Sequence, residues 1–357
     1  MTQSVTTQSS IGRTTVSSAA SSLDVFRSAT RLVPTDPKVI EHLLAVQGVI
    51  GDDLEWLEQA LSEACEEGVR PATHAANHLV ARGGKRVRPL VTLLSAACFG
   101  KIPTKARTLA LVAELIHSAT LLHDDVADEG TERRGVRAAR MQYGNAVSVL
   151  AGDLLLVHAL QRTMAEAHEA LADLLETMRL LVDGEVVQLR GRTELDVTEA
   201  TYHRVLQGKT ASLFAWSARA GARSAGASVD DVARLGQFGE QLGMAFQLVD
   251  DILDYEGAAS GKSSLTDLRE GKMTLPLVLA VRAQPELLQA VRRIHAGDLE
   301  PIPYLGRRVV ASGACGAVRE QATRVTELAI ATLSPIPSTR AKELLVSVAS
   351  ELATRIS

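Results

Sequence analysis

Residues 228–254, SVDDVARLGQFGEQLGMAFQLVDDILD, decide the fold. Apolar side chains recur there at helical spacing, no Pro interrupts, and the run has the length of a bundle helix. Outward from it the texture is uniform from Pro37 onward: helical spacing, few Pro, and Gly mostly at the ends of periodic segments. The pattern predicts helices at 38–47, 52–66, 71–81, 86–98, 104–127, 136–143, 145–168, 171–190, 198–206, 209–222, 228–254, 274–283, 285–295, 303–311, 313–332 and 338–355. Breaks are expected at Gly83-Gly84, Gly100, Gly130, Gly135, Gly191 and from Gly257 to Gly271. No stretch reads as an internal linker, so the expected fold class is all-α, a single-domain multi-helix bundle over 37–357. Residues 1–36 precede it as a Ser/Thr-rich tail. Met1–Ser22 has no acidic residue and a single Arg13, and is expected to be disordered, with an organellar transit segment as the alternative.

Composition supports this reading. The chain has 357 residues, 46% hydrophobic and 22% charged, with a formal charge of −4. Five Phe, four Tyr and two Trp make only 3% aromatic, so the core must be Ala, Leu and Val, which counts against a β-sandwich or barrel. No stretch approaches the roughly 20 apolar residues of a membrane span, and the acidic balance provides no general field for nucleic acid. The expectation is a soluble cytoplasmic protein. Cys65, Cys98 and Cys315 lack CxxC spacing and read as reduced core thiols.

The chemistry is concentrated in two aspartate clusters, LLHDDVAD at 121–128 and QLVDDILD at 247–254. In each, the first and last carboxylates are four apart, on one helical face a single turn apart, where like charges repel. A lone DDxxD is most simply a solvated helix end. Here two copies, 126 positions apart from Asp124 to Asp250, each follow an aliphatic run. Acids ending buried helices are costly uncompensated, and hard oxygen ligands suit Mg²⁺ with phosphate oxygens completing its shell. Two such helices facing each other would form a carboxylate-lined mouth for Mg²⁺ and a polyphosphate. Gly83-Gly84-Lys85-Arg86-Val87-Arg88-Pro89 adds a Gly turn, a helix start and three cations. Arg133 and Arg134 follow the first cluster closely enough to fold back on it. Lys209, Thr210, Lys262 and Lys272 matter only by position.

In combination, GGKRVRP at 83–89, LLHDDVADEGTERRG at 121–135, GKT at 208–210, FQLVDDILDY at 246–255 and EGKMTLP at 270–276 resemble the trans-isoprenyl diphosphate synthases, the head-to-tail polyprenyl synthetase family, over about residues 40 to 350. The resemblance implies an isoprenoid-synthase helical bundle around a central cavity. It implies a prenyltransferase joining an allylic diphosphate to isopentenyl diphosphate, with three Mg²⁺ per active site. Asp124, Asp128 and Asp250 are the implied metal ligands, with Asp125, Asp251 and Asp254 in support. Arg133, Lys209 and Lys262 would hold the allylic diphosphate. Lys85, Arg88, His117 and Arg134 would hold isopentenyl diphosphate, and Lys272 would be an extra phosphate contact. Thr210 and Gln247 would lie near the developing carbocation. Metal and cations stabilise the departing diphosphate, the isopentenyl double bond attacks the allylic cation, and a proton is lost, with no protein nucleophile. His123 points about 100° from Asp124 on a helix and reads as structural.

In this family the residues four and five before the first aspartate set the first stop for the growing chain. Here they are the small Thr120 and Ala119, and no ring lies between Phe99 and Tyr143. Together with HSATLLHDD and GNAVSVLAGD, this favours an all-trans product beyond C20, in the C30–C50 range, over geranylgeranyl or farnesyl diphosphate. Phe214, Trp216, Phe238 and Phe246 are the rings expected to line the cavity. Ser263 and Leu265 stand where the family usually shows Pro and Gly. A class I terpene cyclase would have a different second metal motif and would not need GGKRVRP. An HD-type phosphohydrolase would leave the second cluster unexplained, and a non-catalytic subunit would have degraded Asp clusters. The resemblance also implies a homodimer and leaves room for transient membrane contact during product release.

Overall fold

The structure, a computed structural model, describes residues 37–259 and 265–354. The tail expected at 1–36, together with Lys262 and Ser263, lies outside the described residues. Among those described, the only strands are β1 (Glu132–Arg133) and β2 (Val136–Arg137), an antiparallel hairpin, and the other regular elements are helices. The helices are α1 (Pro37–Glu66), α2 (Ala72–Val80), α3 (Val87–Ala97), α4 (Thr104–Ala127), α5 (Ala139–Tyr143), α6 (Asn145–Glu166), α7 (Leu171–Glu194) and α8 (Glu199–Val205). They continue with α9 (Ser212–Ser224), α10 (Val229–Ala259), α11 (Thr266–Arg269), α12 (Leu275–Ala283), α13 (Leu287–His295), α14 (Ile302–Ala311), α15 (Ala314–Thr332) and α16 (Arg340–Thr354).

Several expected breaks are absent. The helices expected at 38–47 and 52–66 are one helix, α1. Val46, Ile50, Leu54, Leu57 and Leu61 recur every three or four residues and are all buried. Burying that continuous face outweighs the cost of about 1 kcal/mol for each of Gly48 and Gly51. Gly191 likewise lies within α7. Conversely, the helix expected at 136–143 begins only at Ala139, because the chain first turns back through Arg134 and Gly135, both at positive φ, to pair β1 with β2. Residues 206–211, expected to contain a helix break, are a π-helical segment joining α8 to α9.

Helix α10 spans two apolar clusters. Val232, Leu235, Phe238 and Leu242 belong to a cluster built with α1–α4, α6, α7, α9 and α16. Leu248, Val249, Ile252 and Tyr255 belong to a second, built with α8 and α11–α15. α10 packs closely on α9: a Cβ on Gly239 would lie 2.4 Å from the carbonyl oxygen of Phe214, so only Gly permits that approach. α4 packs on α3, α6 and α9. The core is dominated by Ala, Leu and Val, as the aromatic-poor composition requires. The three cysteines are buried free thiols. No helix among the described residues is long and apolar enough to cross a membrane.

Candidate active site

A cavity of about 640 Å³ opens where α4 and α10 bring their acidic ends together. Of the residues expected at the site, Lys85, Arg88, His117, Thr120, Asp124, Arg133, Arg134, Lys209, Thr210, Gln247 and Asp250 line it. Asp125, Asp128, Asp251, Asp254 and Lys272 stand behind or beside this wall, each engaged with other side chains or backbone.

The first cluster is neutralised residue by residue. Asp124 lies 3.3 Å from the Lys209 ammonium, which also pairs with Glu185 on α7. Burial works against the Lys209 charge, but Asp124 and Glu185 outweigh it and its pKa lies above the usual lysine value. Asp125 is buried and takes the Arg133 guanidinium at 2.6 Å. Burial nevertheless raises its pKa, with Arg133 opposing. Asp128, the residue after α4, is held by Arg192 at 2.7 Å and by Lys272 at 3.2 Å. The Lys272 expected on a phosphate is therefore also a partner of the cluster.

The second cluster divides its work. Asp250 is exposed at the mouth. Asp251 points inward, accepting hydrogen bonds from Tyr202 Oη at 2.7 Å and Gln247 Nε2 at 2.9 Å. Burial pushes its pKa up to about 7 against those two hydrogen bonds. Asp254 accepts from the backbone N–H groups of Thr266 and Asp267, both at 3.1 Å, and so caps the short α11. Leu265, where the family shows Gly, has a left-handed φ of 53° and buries its side chain beside Gly306.

Lys209 and Thr210 project from the π-helical segment, a geometry common at functional sites. Its contact with α7 depends on two glycines. A Cβ on Gly184 would meet the Lys209 backbone nitrogen at 2.6 Å, and one on Gly208 would meet the Leu180 carbonyl oxygen at 2.8 Å. Thr210 Oγ1 donates to Gln247 Oε1 at 3.1 Å, completing a hydrogen-bonded chain from Thr210 through Gln247 to Asp251 and Tyr202.

The basic loop separates its cations by backbone geometry. Arg86 has a left-handed φ of 46° at the start of α3, which turns its side chain into the core. There it forms ion pairs with Glu58 and Glu114, both at 2.7 Å. Lys85 and Arg88 face the cavity, with the Lys85 Nζ 5.1 Å from the Phe246 ring centre and the Arg88 guanidinium 4.6 Å from that of Phe214. Burial lowers Arg88 to about 10, with Glu114 opposing. It also holds the His117 imidazole well below its ordinary value, reinforced by Arg88 and Arg134. Arg134 bonds back to the carbonyl oxygens of Leu79 and Gly83. Arg133 and Arg134 thus diverge, one to the aspartates and one to the basic loop.

Sequence reasoning missed Glu114, Glu185, Arg192 and Tyr202. Glu114 had a signal, a lone acid within the apolar run 109–116. The other three had none, because only the packing of α7 and α8 against the acidic ends brings them in. One expectation needs correction. Trp216 and Phe238 are fully buried core residues and do not line the cavity; Phe246 lines it, with Phe214 5.6 Å behind. Of the two residues expected to set product length, Thr120 lines the cavity and Ala119, its neighbour, is fully buried. His123, which also borders the cavity, turns toward α6, 3.1 Å from the Val149 carbonyl oxygen and 3.3 Å from Asp153.

The chain is similar to several known proteins. Octaprenyl diphosphate synthase of Escherichia coli (strain K12) is 36% identical over 320 residues, covering 86% of this chain and 97% of the relative. A crystal structure of a polyprenyl synthase from Caulobacter crescentus CB15, complexed with calcium and isoprenyl diphosphate, superposes with TM-score 0.82 at 36% identity, covering 88% and 98% of the two chains. A decaprenyl diphosphate synthase from Rhodobacter capsulatus superposes with TM-score 0.80 at 32% identity, covering 87% and 98%. The family model described as polyprenyl synthetase matches residues 70–301, which contain the basic loop, both aspartate clusters and Lys209-Thr210. With fold, motif order and these matches in agreement, the chain belongs to the polyprenyl synthetase family.

Proposed function

We propose that this protein is a trans-prenyltransferase that adds isopentenyl units repeatedly to an allylic diphosphate, giving an all-trans polyprenyl diphosphate beyond C20. The observation that carries this reading is the cavity itself. Carboxylates and cations gather at its mouth, and its α4 wall below the first aspartate cluster presents Thr120 without an aromatic ring. Similarity to the octaprenyl and decaprenyl diphosphate synthases supports the long-chain assignment.

In this reading Lys85, Arg88, His117 and Arg134 hold isopentenyl diphosphate. The neutral imidazole of His117 contributes a donor without adding charge. Arg133 and Lys209 hold the allylic diphosphate, with Lys262 assigned the same role and Lys272 a second phosphate contact. Their positive charge stabilises the departing diphosphate. The Thr210 hydroxyl and Gln247 amide place dipoles beside the allylic carbon, and apolar side chains such as Leu121 and Leu181 keep water from the cation.

The donor set fits a divalent cation. The carboxylates are hard oxygen ligands, and Asp125 Oδ2 is buried without a hydrogen-bond partner. No group of three metal donors is already assembled among the described residues, since Lys209, Arg133, Arg192 and Lys272 occupy the carboxylates. We assign Asp124, Asp128 and Asp250 as ligands, with Asp125, Asp251 and Asp254 supporting them. Mg²⁺, three ions per site, would supply Lewis-acid stabilisation of the leaving diphosphate. Incubation with farnesyl diphosphate, isopentenyl diphosphate and Mg²⁺ should yield products longer than C20, and a chelator should stop the reaction. Products ending at or below C20 would overturn the long-chain assignment.

A homodimer is part of the proposal. Leu150, Val157 and Met164 on α6 are exposed at seven-residue spacing, and so are Leu175, Val182 and Leu189 on α7. Such stripes are poor solvent faces and suit an interface between two copies. Sedimentation should give a dimer for the native protein and a monomer for Val157→Glu combined with Leu175→Glu. A monomeric native protein would contradict it.

A further inference from the structure

Both oxygens of the Asp128 carboxylate are already taken. Nη1 of Arg192 is 2.7 Å from Oδ1, and Nζ of Lys272 is 3.2 Å from Oδ2. The aspartate side chain is 1% exposed, so water cannot substitute for either cation. Arg192 reaches it from the last turn of α7, its stem running past Gly271, whose Cβ would lie 3.8 Å from Nε. Lys272 has other anions to return to, Glu270 at 2.5 Å and Asp267 at 3.8 Å. A guanidinium on a carboxylate oxygen weakens binding of a divalent cation there, because the two positive charges repel in a buried site and the hydrogen bond draws on the oxygen's lone-pair density.

We propose that Arg192 is a placeholder for the divalent cation at Asp128. It holds the carboxylate in the ligand-free protein and must leave before metal can bind there. A diphosphate resolves the competition, because its oxygens provide metal ligands and a new partner for the released guanidinium. Metal binding is therefore weak in the free protein and strengthens when diphosphate arrives. Arg192 acts here as a positioning residue. The inference rests on the metal-dependent reading above, and goes beyond it by assigning the coupling to a residue outside the aspartate motifs.

The test measures binding, not turnover. Mn²⁺ is titrated into the ligand-free full chain and followed by the electron paramagnetic resonance signal of free Mn²⁺, then again with one equivalent of inorganic pyrophosphate. Arg192→Gln should bind Mn²⁺ about tenfold more tightly than the native protein without pyrophosphate, as expected for losing a charged hydrogen bond to the ligand. The gain from pyrophosphate should shrink accordingly. Arg192→Lys should restore weak binding, and Arg192→Met replaces the Gln variant if that one fails to fold by circular dichroism. Unchanged or weaker Mn²⁺ affinity in the neutral variants, with pyrophosphate-stimulated binding intact, overturns the placeholder role. If no protein binds Mn²⁺ even with pyrophosphate, the metal reading fails and this inference fails with it.

Discussion

Asp124→Asn should lower the rate of prenyl transfer on the order of 10²–10³-fold, measured as single-turnover elongation of farnesyl diphosphate. Asp124 lines the cavity at its mouth and stands 3.3 Å from Lys209, so it lies where negative charge must be balanced as the diphosphate leaves. The amide keeps the shape but loses the anionic oxygen that a hard cation requires. Lys209 would still be anchored by Glu185, so the fold should survive. Asp254→Asn is the contrasting variant. That side chain accepts two backbone N–H groups of α11, and an amide oxygen can still accept one, so the loss should stay within about tenfold. A rate for Asp124→Asn within tenfold of the native enzyme would remove Asp124 from the reacting site.

Thr120→Phe should shorten the product to C20 or below, read by chromatography of dephosphorylated chains. The ring would enter a cavity of about 640 Å³ directly from its α4 wall. Ala119→Phe should also shorten the product, but Ala119 is fully buried among core residues, so its ring must first displace packed neighbours. That overpacking costs about 1–3 kcal/mol and should appear as a lower melting temperature, absent or smaller for Thr120→Phe. Unchanged product length in both variants would mean that the growing chain does not pass residues 119–120.

The two predictions also separate what is local from what is not. The bundle was legible because the long helices carry apolar residues at helical spacing over many turns without Pro. The paired carboxylates were legible for the same reason: Asp124 and Asp128, like Asp250 and Asp254, are one turn apart on a single helix. Motif order, basic loop first and second aspartate cluster later, was sufficient to suggest the family without coordinates.

Pairings between distant elements were not legible. Arg192 meets Asp128 across 64 positions, and Tyr202 meets Asp251 across 49, through the packing of α7 and α8. Arg86 and Arg88 look alike in sequence, yet a left-handed turn at Arg86 pairs one with Glu58 and Glu114 and leaves the other against the Phe214 ring. Ala119 and Thr120 are adjacent and both small, but about 100° of helical rotation puts one in the core and the other on the cavity wall. The sequence by itself determined the helices, the acidic faces and the chemistry they invite, because those depend on neighbours within a turn. Only the tertiary structure decided which cation balances which carboxylate and which small residue borders the cavity, because those depend on how separate helices pack.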